Sequence, residues 1–249
     1  MPEIRTDVGI PMRDGTVLRA DVHLPDALPA PVLVTRTAYG KHTGIALTAD
    51  TAALVARGYA VVVQDKRGLH ASDGRWRIMR DDRQDGHDTV EWAAAQPWSD
   101  GRVGVYGLSY LGHTAMSAAI ARPPHLAAAV VMQPSTDEYS DRTFLDGVLA
   151  LQNDVDWPAL PFVAPALIAG LPAEERAGAE ADLAAHLTGD VRYGALPLAD
   201  RPYLARFPEL WAGPLAHRED AGYFADTRVG AAELAHVDVP VLHVGSWFD

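Results

Sequence analysis

The chain has 249 residues, 48% of them hydrophobic and 22% charged, with a formal net charge of −12 and no cysteine. This length suits one large domain or a domain carrying an insertion, and the composition is that of an ordinary folded protein. The acidic balance argues against a nucleic-acid or anionic-membrane partner, and the lack of cysteine removes disulfides, thiol catalysis and thiolate metal sites. No basic segment followed by an apolar run opens the sequence, and no stretch approaches ~18 consecutive apolar residues. A cytoplasmic chain without a membrane span is the expectation.

The opening stretch reads as antiparallel strands, with Asp14-Gly15 as a hairpin turn before a run from Val17 to Leu24. Pro31 to Thr37 is a buried-strand pattern ending in Ala38-Tyr39-Gly40. Asp50 to Arg57 suits a helix, with Asp50 as N-cap and Gly58 as stop. Tyr59 to Asp65 is a continuous β-branched run, as expected of a strand covered on both faces. A helix over Asp85 to Gln96 ends at Pro97. Arg102 to Gly107 is a strand, Tyr110 to Ala121 an Ala-rich helix, and Leu126 to Met132 another buried strand.

This alternation predicts an α/β fold, a mostly parallel sheet with helices on both faces. From Pro134 to His236 the chain is rich in Ala, Pro, Asp and Glu, with helical pieces such as Ala173 to Leu187. Strand character returns at Val239 to Gly245. The expected organisation is a core over 1–133, a helical cap insertion over 134–236, and a return to the core sheet over 237–249.

The segment Gly104-Val-Tyr-Gly107-Leu-Ser109-Tyr110-Leu-Gly112 places a serine between a predicted strand and a predicted helix. Hydrolases set a nucleophile on such a turn because it lifts the hydroxyl above the sheet. The turn also aims the next backbone N–H at the reacting centre. Leu111 departs from the general pattern, which has a small residue there, and the same residues also suit a plain helix cap. The glycine spacing does not match a dinucleotide-binding turn, and no His-Glu-x-x-His spacing occurs, so neither cofactor nor metal is expected.

Several segments then belong together: Met12-Arg-Asp-Gly-Thr-Val-Leu-Arg-Ala-Asp21-Val, Arg36-Thr-Ala-Tyr39-Gly-Lys41, Asp65-Lys-Arg-Gly68 with Ser72-Asp-Gly74, and Asp85-Gly-His-Asp-Thr-Val-Glu-Trp92. Gln96-Pro-Trp-Ser-Asp-Gly101-Arg-Val-Gly104 and the serine turn complete the set. Together they resemble the cocaine esterase-like (CocE/NonD) acyl hydrolases and X-Pro dipeptidyl peptidases, a family that includes α-amino acid ester hydrolases and glutaryl acylases. The resemblance implies an α/β-hydrolase fold in which Ser109 attacks an acyl carbonyl. It implies that the backbone N–H of Tyr110 and the phenol of Tyr39 bind the oxyanion. Asp65, Arg67 and Asp88 then read as loop-fixing residues, and Trp76, Trp92 and Trp98 as packing.

A serine hydroxyl needs a histidine to take its proton and a carboxylate to orient that histidine, in the chain order Ser, acid, His. Val239-Pro-Val-Leu-His-Val-Gly245-Ser-Trp-Phe-Asp249 matches the family's acid motif with one extra residue, making Asp249 the acid. All ten histidines precede Asp249 and none stands at the matching position. The resemblance implies a histidine base some tens of residues after the acid, followed by a jelly-roll β-domain, both beyond residue 249. Three readings stay open: a piece of a longer protein, a second polypeptide supplying the histidine, or a non-catalytic hydrolase-like subunit. The expected partner is a small ester or amide. The alternative substrate class, that of an X-Pro peptidase or amino-ester hydrolase, needs carboxylates for an ammonium, for which Asp137, Glu138 and Asp141 are candidates.

Overall fold

The computed structural model describes residues 3–43, 49–188, 193, 196–197, 200–220 and 222–247. It divides into two compact units, one of residues 1–135 with 229–249 and the other of 136–228.

In the first unit, strands β1 (Glu3–Pro11), β2 (Val17–Leu24), β3 (Ala30–Thr37), β4 (Ala60–Asp65), β5 (Ser99–Leu108), β6 (Leu126–Met132) and β9 (Val241–Val244) form one sheet in the order β1-β2-β4-β3-β5-β6-β9. The pairs β1–β2 and β2–β4 are antiparallel and all the others parallel. Gly15, at φ +85°, turns the first hairpin where Asp14-Gly15 predicts it. Helix α1 (Thr51–Ala56) is capped by the Asp50 carboxylate on the Ala53 N–H at 3.2 Å, and Gly58 ends it at φ +89°. All six residues of β4 are buried, as a β-branched run covered on both faces demands.

Helix α2 (Asp82–Ala94) begins three residues before its predicted start. The early turn carries Asp82 and Asp85 into the interior, where the cations of the neighbouring strands neutralise them. Helix α3 (Tyr110–Ile120) follows β5 directly and is buried over nearly its whole length. A Cβ on Gly86 of α2 would sit 2.7 Å from the Ala118 Cβ of α3, so glycine sets how closely the two helices approach. The core beneath joins Val32, Val34, Val62, Val90, Val103, Val105 and Val131, with Trp98 packed edge-to-face on Trp92 at 6.1 Å. Burying each such aliphatic side chain contributes about 1.5–3 kcal/mol.

The sheet edges differ. β1 carries charged side chains and a register shift between Arg5 and Val8, which blunts it against further pairing. β9 leaves Leu242 and Val244 60% and 42% exposed.

The second unit is mostly helical. It has a π-helical turn over Glu138–Thr143, helices α4 (Leu151–Asp156), α5 (Ala164–Ala169) and α6 (Ala173–Thr188), and shorter helical turns to Thr227. It also holds a two-residue hairpin, β7 (Phe144–Leu145) with β8 (Val148–Leu149), which no run of β-branched residues announces. Tyr139, Phe144 and Phe224 form an aromatic cluster with centroids 5.1–6.4 Å apart. Asp154 is buried with Arg142 3.1 Å away on one side. No helix among the described residues is long and apolar enough to cross a membrane.

Gly86→Val is expected to destabilise the protein by about 2–3 kcal/mol in urea unfolding, by forcing α2 off α3. Gly101→Ala has open space at φ +87° and should cost only about 1 kcal/mol. Burial pushes the Asp154 carboxyl up to about 6, against the pull of Arg142. Its folded-state value lies above the unfolded one, so stability fully present below about pH 4 is lost as pH rises through about 6, by about 3 kcal/mol once pH is well above it. Asp154→Asn should flatten that slope in urea midpoints compared at pH 4.5 and 7.5.

Candidate active site

The chain leaves β3 for β4 on one side and returns to β5 on the other, so β3 and β5 are neighbours running in the same direction. Where the winding of a parallel sheet reverses in this way, the loops at the strand ends diverge and open a crevice. Tyr39 stands just past the end of β3 and Ser109 just past the end of β5. The topology thus brings two of the sequence-predicted residues to the same end of adjacent strands.

Ser109 has φ +56° and ψ −122°, a conformation L-residues avoid, and it is exposed. Such a backbone costs about 1–3 kcal/mol and persists only where its surroundings enforce it. They do so here. The Ser109 N–H donates to Met132 O at 2.9 Å, and its carbonyl accepts from the His113 N–H at 3.0 Å. A Cβ on Gly107 would overlap the Leu111 carbonyl, and one on Gly112 would lie 2.6 Å from Met132 O. Both glycines are there because helix, turn and the end of β6 share one space. Leu111 is 1% exposed, so this position serves as core and needs no small residue.

Tyr110 follows the serine as the first residue of α3, with its side chain buried. Its ring packs edge-to-face on Tyr39, with centroids 6.3 Å apart. The Tyr39 loop is held by its own N–H on Thr37 Oγ1 at 2.9 Å and by the Lys41 N–H on Asp65 Oδ1 at 2.7 Å. Beneath these residues runs an alternating chain of charges. Lys66 Nζ reaches both Asp82 oxygens at 2.7 Å, and Arg36 lies 3.4 Å from Asp82 and 3.5 Å from Asp85. Arg67 then joins Asp85 (2.5 Å) to Asp14 (2.7 Å). Desolvation opposes each buried charge, yet the Asp82 carboxylate holds the Lys66 ammonium above its ordinary value. Lys66 and Arg36 likewise hold Asp82 below its own, and burial pushes the Tyr110 phenol up. Asp88 fixes the first hairpin, accepting from the Arg13 N–H at 2.8 Å and from its guanidinium.

Sequence reasoning missed Lys66 and Asp82. One available signal was a lysine directly after a wholly buried strand, a place where an ammonium must have a partner.

Among the described residues, no imidazole is hydrogen-bonded to the Ser109 hydroxyl. His113, one helical turn on, has Nδ1 on Ser135 O at 2.9 Å and Nε2 on Ser117 Oγ at 3.2 Å, and burial pushes its pKa down. His70 binds Ala38 O at 3.1 Å, and His243 lies exposed on β9. Asp249 lies outside the described residues. Asp7, Asp21 and His42 bring ligand-type atoms within 4.8 Å of one another. The Lys41 ammonium already stands among them, 2.7 Å from Asp7 and 3.9 Å from Asp21, and supplies the positive charge a metal would.

The profile of the X-Pro dipeptidyl-peptidase (S15) family matches residues 14–249. The chain belongs to that family. It is 33% identical to the cocaine esterase of a Rhodococcus species over 99% of this chain and 44% of the esterase, so it spans less than half the length of that relative. A CocE/NonD family hydrolase from Staphylococcus aureus superposes with a TM-score of 0.55 at 28% identity, covering 59% of this chain and 30% of the other. An α-amino acid ester hydrolase superposes with a TM-score of 0.71 at 24% identity, over 97% of this chain and 42% of its own. The fold is that of the α/β hydrolases.

Gly107→Ala is expected to destabilise the chain by about 3 kcal/mol or more, because a methyl group at this position meets backbone that cannot yield. Thermal unfolding of the variant beside Gly101→Ala checks this.

Proposed function

We propose that this chain carries the nucleophile of a serine acyl hydrolase that cleaves a small ester or amide through an acyl-enzyme. The observation that carries the reading is Ser109, exposed at φ +56° between β5 and α3 beside the end of β3. A strained conformation that the surrounding backbone holds in place is of the kind that clusters at reactive sites. Family membership supports it, as does the 33% identity to a cocaine esterase.

In this mechanism the Ser109 hydroxyl oxygen attacks the substrate carbonyl while a histidine takes its proton. The carbonyl oxygen gains the negative charge, and the Tyr110 N–H at the start of α3 and the Tyr39 O–H donate to it. Collapse expels the alcohol or amine, which receives the proton from the imidazolium. Water then repeats the sequence on the acyl-serine. Asp249 orients the histidine, which we place outside residues 1–249, because His113 is held by other partners and chain order puts the base after the acid.

Within this reading an ester or acyl substrate is favoured over one with a free amino terminus. Asp141 already accepts from the Thr136 hydroxyl (2.8 Å) and the Asp137 N–H (3.1 Å). Asp137 binds the Tyr139 N–H and Arg228, and Glu138 is wholly buried. None of the three stands as an open ammonium site. Hydrolysis of an N-acetylated amino ester as fast as of the free amino ester is the expected result.

Fluorophosphonate labelling read by intact mass tests the core of the reading. Wild-type chain, natively purified with anything that accompanies it, should gain one phosphonyl group, and Ser109→Ala none. Absence of labelling in every form of the wild type would leave the non-catalytic alternative.

A further inference from the structure

We propose that Lys66 is a positioning residue, which through the Tyr110 phenol sets the direction of the Tyr110 backbone N–H as an oxyanion donor. The inference rests on the serine hydrolase reading of the site and deepens it.

Lys66 is 1% exposed, and an ammonium is so buried only where every proton finds an acceptor. Here the three donors go to Asp82 Oδ1, Asp82 Oδ2 and Tyr110 Oη, at 2.7, 2.7 and 3.0 Å. Tyr110 Oη also accepts from the Met79 N–H at 2.8 Å. The phenol is therefore pinned from two sides, by an ammonium and by a backbone amide. The other end of the same residue is the first amide of α3, directly after Ser109. Holding the ring fixes the residue's side-chain direction, and with it the orientation in which that amide meets a developing charge.

The step Asp65-Lys66 does a second thing. The Asp65 carboxylate holds the Lys41 N–H, and the Lys66 N–H donates to Thr37 O at 2.9 Å, bracketing the loop that carries Tyr39. Two consecutive residues at the end of β4 thus secure both proposed oxyanion donors, Tyr39 from one side and Tyr110 from the other. Charge neutralisation alone requires only the Lys66–Asp82 contact. The bond to Tyr110 Oη is the part that positioning explains.

The two roles separate in the full chain. Tyr110→Phe keeps the Lys66–Asp82 contact and the Tyr110 amide and removes the pin, leaving one Lys66 proton and the Met79 N–H without their acceptor. Lys66→Met removes pin and charge together and is the more fold-sensitive variant. Fluorophosphonate labelling of Ser109 in Tyr110→Phe should show a maximal rate about 10–100-fold below wild type with little change in the half-saturating concentration, since misplacing one oxyanion donor costs this much. A maximal rate within about twofold of wild type overturns the proposal. If no form of the wild type labels, alone or with whatever accompanies it on native purification, the serine reading fails, and amide hydrogen exchange decides the positioning separately. Peptides spanning 107–113 should then exchange about tenfold faster in Tyr110→Phe while 99–105 stay unchanged. Equal exchange in both segments overturns it.

Discussion

The structure turns on one backbone conformation, the left-handed φ of Ser109 at the junction of β5 and α3. It is unfavourable by itself, and several features of the chain exist to hold it. Gly107 and Gly112 clear the space, Met132 at the end of β6 accepts the serine N–H, and Leu111 seals the turn from below. Because Met132 belongs to the neighbouring strand, the register of β5 against β6 also determines where the serine points. A slip of that register would release the turn as well as unpair the sheet.

Beneath the turn, charge is handled in an unusual way for a small core. Lys66, Asp82, Arg36, Asp85, Arg67 and Asp14 alternate in sign from the fully buried interior to the surface. A buried ion pair is seldom more stabilising than an apolar replacement, because desolvation offsets most of the attraction. What such a chain supplies is direction. Each group has few acceptable positions, and the elements that carry them, β3, the end of β4 and the start of α2, are thereby locked beside the serine. The same electrostatics explains why α2 starts early, since Asp82 must lie inside the helix start to meet both Lys66 and Arg36.

Much of the architecture was legible in the residues. The run Tyr59 to Asp65 reads as a strand covered on both faces, Asp50 and Gly58 bracket α1 by capping chemistry, and Asp14-Gly15 turns the first hairpin. The short hairpin at Phe144 to Leu149 was not legible, because two-residue strands carry no periodicity. Nor was the length of α2, whose first turn is set by ion pairs with residues far away in the chain.

By itself the sequence determined the order of strands and helices, the α/β class and the serine turn. All of these follow from local pattern: hydrophobic period, turn residues and the spacing of Gly107, Ser109 and Gly112. Only the tertiary structure decided that β3 lies between β4 and β5, which brings Tyr39 to the same sheet end as Ser109. It alone engaged His113 with Ser135 and Ser117 and set Lys66 under Tyr110. The physical reason is that local pattern reports which face of an element is apolar. Which charges must share a buried space is settled only when elements from distant parts of the chain pack together.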